Sequence, residues 1–157
     1  MRLKTTEGLV QKQHYIRLVV MTALSFVSMY MLMYAMVNTF SNVYANFNQA
    51  YMAALMAAPM IIIELLVMKG MYENRKWNAL ILTGSGVVLV GSFLLIREQT
   101  AISDTQFLRS MIPHHAGAIL MCEQAPIQDP DIKALCSRII ASQRQEIEEM
   151  KAKLNAM

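Results

Sequence analysis

Three apolar runs followed by one patterned polar segment divide the chain. The runs cover roughly residues 15–37, 47–68 and 78–96. Each holds about the 20 residues that a helix needs to cross a ~30 Å hydrocarbon core. Backbone in lipid must satisfy its own hydrogen bonds, so all three are predicted to be transmembrane helices. The first run is too long for a signal peptide, and no small-residue cleavage pattern follows it. Beyond Ile96 the pattern changes to helical periodicity with polar positions between the apolar ones. Ser103-Asp-Thr-Gln106 has the form of a capping box, with Gln106 reaching back to Ser103. A helix then runs to about Gln124, and Ala125-Pro126-Ile127-Gln128 forms a turn. Asp129 caps a second helix with Pro130 at its first position. The apolar face of that helix is Ile132, Cys136, Ile139, Ile147, Met150 and Leu154. The expected fold is all-α, with a membrane domain over 1–96 and a helical hairpin over 97–157.

Charge orients this plan. Arg2, Lys4, Lys12 and Arg17 precede or open the first run, and Lys69, Arg75 and Lys76 follow the second. The connection between the first two runs, NTFSNVYANFN, carries no Lys or Arg. The positive-inside rule then places the N-terminus and the 69–77 loop in the cytoplasm of an inner (plasma) membrane, and the 38–47 loop and the hairpin outside. Tyr15, Tyr72 and Trp77 are expected as interface anchors.

Composition narrows the function classes. Only 16% of the residues are charged, against about 25% in ordinary soluble domains. The net charge is +3, and the excess lies in the apolar part, so no nucleic-acid footprint is present. Two cysteines are too few for a disulfide-framed miniprotein. An enzyme is not expected: no acidic residue stands three positions before His114 or His115, and no P-loop, nucleophile elbow or H-E-x-x-H occurs.

Methionine is the anomaly, at 15 residues. At 100° per residue Met111, His114, Ala118 and Met121 share one stripe, with His115 beside it. Thioether and imidazole on one face suit a soft or borderline ion such as copper; core filling by methionine is the plainer use of the same residues. Gln143 falls on the apolar face of the facing helix and needs a partner there, with the histidine pair a candidate. Glu146 flanks the same stripe as a ligand or a solvated carboxylate. Cys122 and Cys136 straddle the turn. A disulfide, thiolate ligation and reduced core packing all remain open.

Phe107…Met111-Ile-Pro-His114-His115…Ala118…Met121, followed by Ile139…Gln143…Glu146-Ile147…Met150, resembles the domain-of-unknown-function family 305, a ferritin-like group. The resemblance covers about residues 103–155. Some members are linked to copper binding and metal resistance, which implies a metal-handling role with His114, His115, Met111 and Met121 as ligands. Gln143, Glu146, Met150, Cys122 and Cys136 are further candidates. Soluble members often carry the His-His helix pair twice, making four helices, whereas this chain carries it once. A homodimer or larger homo-oligomer is therefore expected to complete the bundle.

The membrane part has patterns of its own. Met29, Met33 and Met36, and Met52, Met56 and Met60, form two stripes that either carry Cu(I) or pack against helices and lipid. Gly84, Ser85, Gly91 and Ser92 allow close helix approach. Arg17 and Glu64 are expected to pair near the cytoplasmic ends of their helices. The function expected overall is binding of a soft metal ion, with copper as cofactor, on the extracytoplasmic side. The alternative is a membrane structural or partner-binding module whose helical tail assembles oligomers without metal.

Overall fold

A computed structural model describes residues 2–157, with side chains from Val10 onward. Arg2 and Lys4, two of the charges behind the expected orientation, have side chains outside the described residues. The described chain contains five α-helices and no strand: α1 (Arg2–Leu32), α2 (Phe47–Val67), α3 (Arg75–Arg97), α4 (Asp104–Gln124) and α5 (Pro130–Asn155). Two short 3-10 turns, Met33–Met36 and Phe40–Asn42, lie between α1 and α2. Two compact units result. Unit 1 takes the chain up to Met31 together with Ala50–Thr100, and unit 2 takes Leu32–Gln49 with Ala101–Met157. The boundary near residue 100 matches the change in sequence pattern. The recruitment of 32–49 into the second unit does not follow from that pattern.

Unit 1 has the composition of a bundle that faces lipid. Three stretches, Val10–Met36, Phe47–Val67 and Arg75–Arg97, are long and apolar enough to cross a membrane; the first ends with the 3-10 turn of unit 2. Val19, Leu24, Leu80 and Val87 are exposed, each by more than three-fifths. The buried positions are instead small: Ala53, Ala57, Ala58, Ser85 and Ser92, joined by Leu18, Leu65 and Tyr72. Small side chains let helix backbones approach, and close van der Waals packing is what joins helices when the solvent is as apolar as the side chains. Ser85 and Ser92 are thus buried within the chain, while Gly84 and Gly91 face open space. Asn74 caps α3 by accepting hydrogen bonds from the N–H groups of Lys76 and Trp77. At its other end α3 closes in a Schellman motif. The Thr100 N–H donates to Leu95 O at 3.1 Å and the Gln99 N–H to Ile96 O at 3.4 Å. Gln99 takes the required left-handed conformation, φ 48°.

Two expectations about this unit change. Glu64 accepts a hydrogen bond from the Tyr72 hydroxyl at 3.1 Å, and among the described residues no ion pair joins it to Arg17. Leu18 faces the interior at 3% exposure, so Arg17, one residue round the helix, points outward. Tyr72 is itself buried and acts as a core residue, not an interface anchor. Trp77, in contrast, is half-exposed, and Tyr15 donates to Asn78 Oδ1 at 2.7 Å. The Met29–Met33–Met36 stripe runs from the end of α1 into the 3-10 turn that begins at Met33. At three residues per turn Met33 and Met36 are eclipsed and stay on one line.

Unit 2 is an antiparallel hairpin supplemented by the 32–49 segment. Leu108, Ile112, Ala116 and Ile119 of α4 meet Ile147 and Met150 of α5, with Val37, Tyr44, Met111 and Leu154 packed around them. Spacings of four, four and three put the α4 residues on one stripe. Asp129 caps α5 as expected, accepting from Asp131 N at 2.8 Å and Ile132 N at 3.1 Å. The box expected at Ser103 does not form: Ser103 makes no side-chain cap hydrogen bond. Gln106 Oε1 accepts instead from Phe47 N at 3.0 Å, satisfying a first-turn donor of α2. The capping arrangement falls at Asn46 and Gln49, where Asn46 Oδ1 takes the Gln49 N–H at 2.9 Å. The Asn46 amide donates in turn to Gln49 Oε1 at 3.1 Å.

Candidate metal centre on the α4–α5 hairpin

The segment 32–49 explains a glycine in the middle of α4. A Cβ on Gly117 would lie 3.5 Å from the carbonyl oxygen of Met36. The absent side chain leaves room for this backbone, and the Tyr34 hydroxyl holds the segment closed by donating to Tyr44 O at 2.7 Å. One side of α4 is thereby covered. Opposite, α5 is fastened to α4 by a disulfide between Cys122 and Cys136, whose Cα atoms are 5.3 Å apart. Arg144 adds an ion pair to Glu123 at 2.7 Å.

The disulfide closes the question left open for the cysteines. Both sulfurs are bonded to each other, so neither is a thiolate ligand. Met150 also leaves the ligand set, since it is buried against the Ile112 cluster. Gln143 is half-buried, and no hydrogen bond links it to either histidine among the described residues.

His115 and Glu146 do come together. Nδ1 of His115 lies 3.0 Å from Oε2 of Glu146, with the imidazole 12% exposed and the carboxylate 44% exposed. The separation is short, yet Nδ1 is buried without an aligned hydrogen-bond partner. Two heteroatoms thus converge without the directed N–H···O line that a hydrogen bond requires. The other carboxylate oxygen of Glu146 is held by the Ser142 hydroxyl, which donates at 2.6 Å. Burial pushes the His115 imidazole below its ordinary value of 6.5; the Glu146 carboxylate opposes this and His114 adds to it. The favoured form is neutral imidazole with a lone pair to offer, the form that binds metals.

The expected stripe is real as geometry but lies one step round the helix from the core. Taking His115 as origin, the core residues of α4 fall on one side of it and Met111, Ala118, His114 and Met121 on the other. Met111 packs against the core, His114 is exposed and Met121 is 54% exposed. The two imidazole rings are 6.0 Å apart between centroids and inclined by 59°. His115 sits at the seam between buried and exposed faces. Among the described residues, no group of three or more His, Cys, Asp or Glu converges closely enough to hold an ion. Sequence reasoning missed the pairing of Glu146 with His115, although Glu146 and Ile147 are adjacent and Ile147 marks the inward face of α5.

A family model described as Domain of unknown function (DUF305) matches residues 64–154. It begins well ahead of the hairpin and takes in the end of α2 and all of α3. Among curated proteins, the chain is similar to "Uncharacterized protein L153" of Acanthamoeba polyphaga mimivirus, 38% identical over 98 residues. The alignment covers 61% of this chain and 62% of the relative, so this chain spans less than two thirds of that protein. No solved structure matches the chain.

Proposed function

The chain belongs to the DUF305 family, and we propose that it is a membrane-anchored protein whose hairpin binds a soft or borderline metal ion, copper, on the extracytoplasmic side. One observation carries this reading: the buried Nδ1 of His115, lacking an aligned hydrogen bond, faces the Glu146 carboxylate across 3.0 Å. An orphaned buried nitrogen is costly unless something else takes its lone pair. The donors fit copper, since imidazole serves both of its oxidation states and thioether favours Cu(I). Burial keeps His115 neutral, Ser142 orients Glu146, and the disulfide fastens the two helices that carry them. His114, Met111 and Met121 lie on the adjoining stripe as further donors. A single hairpin supplies too few converging groups, so a second copy completes the set in a homo-oligomer. Exposed Phe107, Met121, Ile132 and Leu135 offer the apolar surface for that association.

The location follows the same logic. Lys12, Arg17, Lys69, Arg75 and Lys76 favour one side of the bilayer for the N-terminus and the α2–α3 loop. Residues 32–49 and the hairpin fold as one unit, which suits three crossings that bring both to the same side. A disulfide in that unit suits an oxidising compartment.

Elemental analysis of detergent-purified protein tests the reading. Wild type retains copper in stoichiometric amount, and His115→Ala loses most of it. Full retention in His115→Ala, or a wild-type oligomer that takes up no copper from solution, overturns the metal reading. The second outcome leaves the assembly module in its place.

A further inference from the structure

The end of unit 1 that carries the 69–74 loop contains a largely apolar hollow of about 760 Å³ between α1 and α3, with polar groups on one wall. Its polar wall is Gln11, Lys12, Glu73 and Asn74, and its flanks are Tyr15 and Trp77. Val19 belongs both to this hollow and to a second, almost wholly apolar trough of about 570 Å³. The trough continues along Leu18, Phe26, Val27, Ile81, Gly84 and Val88. From Val19 to Val27 it runs about 12 Å along α1 at 1.5 Å per residue, close to one leaflet of a ~30 Å hydrocarbon core. No atom lies within 4 Å of where a Cβ on Gly84 would stand, so the trough is open at its floor. A polar mouth with aromatic sides, leading into an apolar trough one leaflet deep, has the shape and chemistry of a lipid.

Charge selects which lipid. Lys12 lines the mouth, and Arg17, Lys69, Arg75 and Lys76 belong to the same end of the unit. Among the described residues, the acidic ones there are Glu73, on the mouth, and Glu64, which is engaged by Tyr72. Basic groups beside a bilayer attract anionic headgroups. We propose that unit 1 binds one anionic phospholipid, its phosphate at Lys12 between Tyr15 and Trp77 and one acyl chain in the trough past Val19 and Gly84. The site rests on unit 1 being embedded in a bilayer and is independent of the metal centre.

Trp77 is the chain's single tryptophan and stands in the mouth, so its fluorescence reports the site alone. The full-length protein is placed in nanodiscs of phosphatidylcholine with a minor fraction of phosphatidylglycerol, with brominated chains on one lipid or the other. Bromine on the anionic lipid quenches Trp77 well beyond its mole fraction, whereas bromine on phosphatidylcholine quenches below its share. Lys12→Gln lowers the excess about fivefold, as loss of one basic group at an anionic surface implies. Gly84→Leu fills the trough and removes the excess without changing the helical content. Quenching that tracks mole fraction for both lipids overturns the lipid site, as does an excess that survives both substitutions. Absence of quenching by either lipid overturns the membrane reading itself.

Discussion

Units 1 and 2 use the same kinds of side chain in opposite places. Unit 1 turns Val19, Leu24, Leu80 and Val87 outward and buries alanine and serine. Unit 2 turns Ile112, Ile119 and Ile147 inward and puts most of its charge outside. The difference lies in the surroundings each sequence suits. In water, removing a large apolar side chain from solvent is the main stabilising term. In lipid that term vanishes, and close contact between small residues takes over. One fully buried isoleucine is therefore worth more to the hairpin than any single leucine is to the three long helices.

The largest expected effect tests that statement directly. Ile112→Ala, at a position with no exposed surface, destabilises unit 2 by about 2–5 kcal/mol. Leu24→Ala in unit 1, at a position 64% exposed, changes stability by less than about 0.5 kcal/mol. Hydrogen exchange resolved by segment, in nanodiscs, measures both. Comparable losses at the two sites would break the contrast.

Next comes the disulfide. Cys122→Ala with Cys136→Ala opens a loop of sequence separation 14, and a closed loop of that length is worth about 3 kcal/mol in the chain-entropy description. Protection of α4 and α5 should fall while protection of α2 and α3 stays as it was. A smaller change is expected at the buried polar contact of unit 1. Tyr72→Phe removes the hydrogen bond to Glu64 and costs about 1 kcal/mol, read as faster exchange in the 69–74 loop. An unchanged loop would mean that the carboxylate finds another partner.

The finest effect concerns pH. His115 titrates below its ordinary value in the folded hairpin, so the unfolded chain takes up the proton first as pH falls. Stability that is present above pH 6.5 therefore declines through and below that value. Glu146 and His114 are the ionisable groups beside the imidazole, and Glu146 limits the decline. Thermal unfolding of the metal-free protein followed between pH 7.5 and 5.5 should show the slope, and His115→Gln should flatten it. A slope of the opposite sign would mean that Glu146 outweighs burial.

Much of this molecule is determined locally and is readable for that reason. The three long helices follow from apolar length alone. The hairpin follows from Asp129-Pro130 at one helix start, the 3.6-residue spacing of Ile139, Ile147 and Leu154, and the break at Pro126. The family likeness rests on the His-His and Gln-x-x-Glu-Ile-x-x-Met motifs. What needed the tertiary structure is everything set by a neighbour distant in sequence. Ser103 and Gln106 form a good local capping pair, yet Gln106 is drawn to the N–H of Phe47, 59 residues away. Arg17 and Glu64 are complementary charges, yet the helix phase fixed by Leu18 turns Arg17 outward and Tyr72 reaches the carboxylate first. Residues 32–49 show no periodicity, so nothing in them announces that their backbone fits over Gly117. Glu146 reads as an ordinary surface acid until α5 docks on α4 and sets it against His115. Local propensity and periodicity determine which segments are helices and which face is apolar; docking alone decides which polar atoms meet, because that depends on rotation about each helix axis by fractions of a turn.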